Sequence, residues 1–141
     1  MKNEGVRKEH HTVTPYIIIR DANKAITFYK QAFDAIELMR ITNERGKVKH
    51  AEIKIGDSPI MIVDEFPEFP IMQSPQSLGG VPVHIFLYVE DADSLFAQAI
   101  DAGSRELETV TDYSDGDRRG GVIDPFGHIW WIATHIGDDP K

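Results

Sequence analysis

The stretch Thr14-Pro-Tyr-Ile-Ile-Ile-Arg-Asp21-Ala22 decides the fold, because the chain repeats it as His84-Ile-Phe-Leu-Tyr-Val-Glu-Asp91-Ala92. Both are alternating runs of β-branched and aromatic residues that end on an aspartate able to cap a helix. A helical pattern follows each. Ala22, Ala25, Ile26, Tyr29 and Phe33 recur at spacings of three and four, as do Leu95, Ala99 and Ala102 in the second copy. Gly103 stands where a left-handed C-cap belongs. Working outward, the same offset of 70 aligns the halves without a gap. His50-Ala-Glu-Ile-Lys-Ile-Gly56 falls on Gly120 to Phe126, and Ile60 to Val63 falls on Trp130 to Ala133. Glu37 to Thr42 and Glu106 to Thr111 supply the second strand of each copy. Each half therefore reads β-α-β-β-β. The chain is an α+β protein, a single domain over 1–141 made of two repeats at about 12–66 and 82–136.

The join between the copies, residues 67–81, is rich in proline and glycine, which break ladders and helices, so it reads as a loop. Phe66, Phe69, Ile71 and Met72 make it too apolar for a bare spacer. A loop packed on a sheet is expected, with a lid or a dimer contact as the functional alternative.

Composition bounds the rest. Of 141 residues, 41% are hydrophobic and 27% charged, which suits a folded domain and not a disordered chain. Fifteen Lys+Arg against 23 Asp+Glu leave a net charge of −8, which argues against nucleic acid or an anionic membrane as partner. One basic cluster, Lys2, Arg7, Lys8, His10 and His11, reads as a frayed, solvated N-terminal arm. The absence of cysteine removes disulfides, thiolate metal sites and thiol nucleophiles. No apolar stretch reaches the length of a membrane span and the polar start lacks a signal-peptide core, so the cytoplasm is expected. No nucleophile elbow, phosphate-binding loop or dinucleotide fingerprint is present.

The opening block, with Ala25-Ile-Thr-Phe-Tyr-Lys-Gln-Ala-Phe33, resembles the start of proteins of the vicinal oxygen chelate superfamily, which includes glyoxalase I and bleomycin-resistance proteins. The blocks His50-Ala-Glu-Ile-Lys-Ile-Gly-Asp-Ser58 and Gly116-Asp-Arg-Arg-Gly-Gly-Val-Ile-Asp124-Pro-Phe-Gly-His128-Ile-Trp130 look like the PhnB-like branch of that superfamily. The resemblance spans residues 12–136. It implies two units whose curved mixed sheets enclose a cleft, a homodimer and, in metal-dependent members, one divalent ion held from the first and last strands of each unit.

Carried over residue by residue, those ligand positions fall on Thr14, Met61, His84 and Trp131. Only His84 is a competent transition-metal ligand; a threonine hydroxyl, a thioether and an indole are not. The expectation is therefore a cleft without cofactor or metal that binds a small organic molecule. Its lining would be Thr14, Tyr16, Met61, His84, Phe86, Tyr88 and Trp131, grouped by the two-residue period of strands, together with His50 and Glu52. The alternative is a metal-dependent enzyme with a rearranged site around His84, His50 and Glu52, the last two sharing one strand face. Arg118 is a candidate anion contact at the cleft mouth, against a salt-bridged turn. Asp124 to His128 reads as a tight turn.

Overall fold

The computed structural model describes residues 5–137, so Lys2 of the basic cluster lies outside the described residues. The elements run β1 (Tyr16–Ile19), α1 (Ala22–Phe33), β2 (Ile36–Thr42), β3 (Val48–Ile55), β4 (Ser58–Asp64), α2 (Pro75–Leu78), β5 (Ile85–Tyr88), α3 (Ala92–Ala102), β6 (Arg105–Asp112), β7 (Asp117–Ile123) and β8 (Ile129–His135). The predicted β-α-β-β-β order holds in both halves. Two four-stranded mixed sheets form, ordered β1-β4-β3-β2 and β5-β8-β7-β6, with only the β1–β4 and β5–β8 pairs parallel. The chain divides into two compact units. One is the chain up to Lys30 with Asp34–Ser74, and the other is Gln31–Phe33 with the chain from Pro75 on.

In the first unit, one sheet face carries Ile17, Ile19, Ala51, Ile53, Ile60 and Ile62, all buried, and α1 turns Ala22, Ala25, Ile26 and Tyr29 inward. Each such isoleucine contributes about 1.5–3 kcal/mol through burial. Asp21 accepts from the Lys24 amide and starts the helix as its sequence predicts. A second carboxylate, buried Asp64 at the end of β4, accepts from the Ala22 and Val48 amides and fixes helix and β3 to the sheet. In the second unit, Asp91 caps through the Ser94 amide, and Thr134 stands where Asp64 does, taking the Ala92 amide on its hydroxyl.

Three details differ from the sequence reading. First, the repeat is not free of gaps. Tyr16, Met61 and Glu52 stand in one row of the first sheet, and Phe86, Trp131 and Gly121 in the corresponding row of the second. The offset is thus 70 from β1 and β4 to β5 and β8, and 69 from β3 to β7. α3 has 11 residues where α1 has 12, and the residue returns in the longer turn Asp124–His128. His50 therefore corresponds to Arg119, not Gly120. Second, the inward face of α3 is Ala92, Phe96 and Ala99, while Leu95 is half-buried. The Phe96 ring lies so close to β7 that a Cβ at Gly120 would stand 2.8 Å from it. Third, the linker contains the single-turn helix α2.

Candidate functional site

In each unit the sheet face away from the helix carries the chemistry. In the first, Tyr16, Met61, Glu52 and Met39 stand side by side across β1, β4, β3 and β2. Glu52 is only 3% exposed although the face holds no helix. The N-terminal arm covers it. His10 Nε2 lies 2.7 Å from Glu52 Oε1, His50 Nε2 lies 2.9 Å from Oε2, and the Arg7 guanidinium is 3.8 Å away. Thr14 Oγ1 stands 3.5 Å from His10 Nδ1, and His11 Nε2 lies 3.3 Å from the Asp57 carbonyl. The arm predicted to fray is thus tied down at His10, whose side chain is 6% exposed. A buried carboxylate needs partners and the nearest donors lie in the arm, a contact across 42 residues that no local pattern signals. Burial alone would raise the Glu52 pKa. The hydrogen bonds from His50 and His10, with the charges of His10 and Arg7, outweigh that and hold it below the usual range.

The second unit has no such carboxylate. At the position of Glu52 stands Gly121, and Trp131 uses the space, with its ring 3.1–3.3 Å from where a Cβ would be. Trp131 Nε1 donates to His84 Nδ1 at 3.0 Å, so the second ring nitrogen of His84 is the one left to meet other groups. Phe86 and Tyr88 follow along β5, 43% and 64% exposed, with ring centroids 5.0 Å apart. The Tyr88 hydroxyl donates to buried Asp117, which also meets His135 Nδ1 at 2.8 Å. That bond to a carboxylate holds the Tyr88 phenol above its ordinary range. Arg119 lies over the Tyr113 ring and bonds Asp115.

Each unit thus gathers part of the expected lining. Thr14, Tyr16, His50, Glu52 and Met61 lie on the first unit's open face, and His84, Phe86, Tyr88 and Trp131 on the second's. Arg118 is the exception. It points to the helix side and pairs with Asp93 and Asp112, so the salt-bridged turn describes it and Arg119 occupies the open face. His10 and Arg119 are the additions that the sequence reading missed. Asp124 is structural: its carboxylate takes the amides of Phe126 and His128 and the indole N–H of Trp130.

Two mixed β-α-β-β-β sheets, each with one helix-covered face and one open face rich in aromatic and imidazole side chains, define the class. A profile of the Glyoxalase/Bleomycin resistance protein/Dioxygenase superfamily matches residues 9–132. An uncharacterised protein of Mycobacterium tuberculosis is 42% identical over 126 residues, spanning 88% of this chain and 74% of that one. The X-ray structure of an Arabidopsis thaliana gene product is 29% identical with a TM-score of 0.70, covering 87% of this chain and 98% of that one. TioX from Micromonospora, at 22% identity, shares the fold with a TM-score of 0.69 over 89% of this chain and 99% of its own. A PhnB protein from Bacillus cereus does so at 17% and 0.68, over 88% and 99%. The chain belongs to the glyoxalase/bleomycin resistance/dioxygenase superfamily.

The divalent ion that the resemblance implies for metal-dependent members does not fit the residues at those positions. Of Thr14, Met61, His84 and Trp131, only His84 offers a nitrogen that can ligate, and its Nδ1 already accepts the Trp131 indole N–H. The two imidazoles on Glu52 address different oxygens, and no group of three His, Asp or Glu among the described residues is arranged to hold a metal ion. No helix among them is long and apolar enough to cross a membrane.

Proposed function

We propose that this protein binds a small organic molecule on the open faces of its sheets, without metal or other cofactor, as a cytoplasmic homodimer. The observation that carries this reading is the pairing of Trp131 with His84. Two positions that would hold a metal in an enzyme of the family instead hold each other, and the indole lies flat over Gly121 beside exposed Phe86 and Tyr88. Exposed rings supply contact area, and His84 Nε2 supplies a polar handle for orientation. Such exposed apolar surface also suits coverage by a second copy of the chain.

Elemental analysis of untagged protein is expected to find no stoichiometric divalent ion. A near-equimolar ion that His84→Ala removes overturns the reading. Ligand contact at Trp131 is expected to change its fluorescence, and Trp131→Phe to abolish that change. A sedimentation mass of one chain removes the dimer.

A second reading has its own observation. Glu52 sits between two imidazoles, an arrangement that can move a proton between an exposed nitrogen and a buried carboxylate. It keeps His50 and Glu52 of the metal-enzyme alternative and replaces metal chemistry by acid–base chemistry.

A further inference from the structure

The chain between the repeats folds back on the first unit and borders an open pocket of about 380 Å³. Its walls are the rings of Tyr16, Phe66 and Phe69 with Met72 and Val63. That volume lies within the range of small-molecule sites, about 300–1,000 Å³, and the lining has their make-up of apolar walls with few polar groups. Phe66 is held in place from behind by Lys47, whose ammonium lies 4.4 Å from the ring centroid and bonds the Glu65 carbonyl.

The polar groups at this pocket are three donors, on Tyr16, Asn43 and Lys49, and one carboxylate, Glu68. Lys49 lines it and has no ion pair or hydrogen bond among the described residues. The Tyr16 hydroxyl has no hydrogen bond among them, and neither has the Asn43 amide nitrogen, since Asn43 uses its oxygen to accept from Arg45 and Lys47. Three donors with no partner among the described residues thus line one largely apolar pocket, against the single carboxylate of Glu68. A neighbouring depression shares Asn43, Phe66 and Glu68 and adds Arg45 and Lys47 to the rim. Three cations face two carboxylates, Glu44 and Glu68, in a chain whose overall balance is −8.

We infer that this pocket binds a flat apolar molecule carrying an anionic group, a carboxylate or sulfonate, with the rings holding the skeleton and Lys49 the charge. A charge-assisted hydrogen bond from an ammonium is the strongest contact such a site can offer. This inference rests on the small-molecule reading above and adds the ligand's charge and the seat of its anionic group.

The test uses two dyes that differ only by the anion, 8-anilinonaphthalene-1-sulfonate and N-phenyl-1-naphthylamine, titrated into the full-length protein. The sulfonate is expected to bind at one site per chain, about tenfold tighter than the neutral dye. Lys49→Met is expected to remove that advantage while leaving the neutral dye's affinity unchanged. Phe66→Ala should weaken both dyes. Circular dichroism and the thermal midpoint of each variant establish that it is folded. Equal affinity of the two dyes, or an unchanged sulfonate affinity in folded Lys49→Met, overturns the inference and leaves the small-molecule reading standing. Dye binding lost in Trp131→Phe but kept in Lys49→Met moves the site to the second unit, with the same consequence. No binding of either dye overturns it as well.

Discussion

The two units share one frame and differ most on their open faces. On the helix side the positions repeat: an aspartate caps each helix, and Asp64 and Thr134 do the same task 70 residues apart. On the other side, Glu52 with its two imidazoles stands where Gly121 and the recumbent Trp131 stand, and His50 where Arg119 does. Packing against a helix keeps most positions of both copies small or β-branched, with Trp130 at the place of Ile60 the large exception. The open faces carry no such constraint, so one became a buried polar cluster under an arm and the other an aromatic platform. Sites diverge where burial does not dictate the residue.

The adjacent glycines of β7 test this division most severely. Gly120 faces the helix, and an added Cβ would meet Phe96 at 2.8 Å and Val110 at 2.9 Å. Gly120→Val is expected to cost about 2–3 kcal/mol in urea unfolding, as overpacking of a core does. Gly121 faces the open side, where Trp131 can lift. Gly121→Ala is expected to cost under about 1 kcal/mol while shifting Trp131 emission. If Gly121→Ala proves the more damaging, the open face is as tightly packed as the core and the division falls.

The same division explains what could be read from the sequence. The duplication, the strand order and both helix caps were legible because they follow from local periodicity and from aspartates at fixed places. The one-residue shift between copies was not. A shortened α3 and a longer final turn cancel, so the ends match at offset 70 while β7 does not. Thr14, Met61, His84 and Trp131 came from the resemblance, residue by residue, and only their side-chain types were legible in the sequence. Two signals went unused: the Gly120-Gly121 pair inside a strand marks close approach on both faces, and Glu52 at a strand centre requires a partner. Which partner it finds, His10, depends on how the arm returns, and that is tertiary information. Arg118 and Arg119 were indistinguishable until the register of β7 was known.

The arm gives the next largest effect. Glu52→Ala leaves His10 and His50 without their common acceptor and is expected to cost about 1.5–3 kcal/mol, the range for hydrogen bonds to a charged group. Trypsin should then cut after Arg7 and Lys8 many times faster, while the second unit's Trp131 emission stays unchanged. The pH dependence has a definite sign. Because the folded Glu52 pKa is depressed, its contribution is fully present above the ordinary value of 4.5 and is lost as pH falls through the folded one. Protection of the arm should therefore fail on acidification, and Glu52→Gln should flatten that response. Protection that survives at pH 3 would mean that contacts other than Glu52 hold the arm.

The smallest expected effect separates the helix sides themselves. Each helix is tied at its second residue by an arginine, but from different strands: Arg40 on β2 reaches Asn23 in the first unit, and Arg118 on β7 reaches Asp93 in the second. Arg40 and Lys30 together hold Glu37 down to about 2, through hydrogen bonds first and charge second. Asp93 is lowered too, by the Arg118 hydrogen bond, but it is an exposed carboxylate that water screens. The Glu37 contribution is complete above its ordinary value of 4.5 and disappears as pH falls toward 2. Glu37→Gln should therefore lower stability at pH 7 by about 0.5–1 kcal/mol and leave it nearly unchanged at pH 2. Arg118→Ala should move the urea midpoint less than Glu37→Gln at pH 7 and leave ligand affinity untouched. A loss of affinity in Arg118→Ala would return that residue to the binding site and mean that the helix side of β7 also serves function.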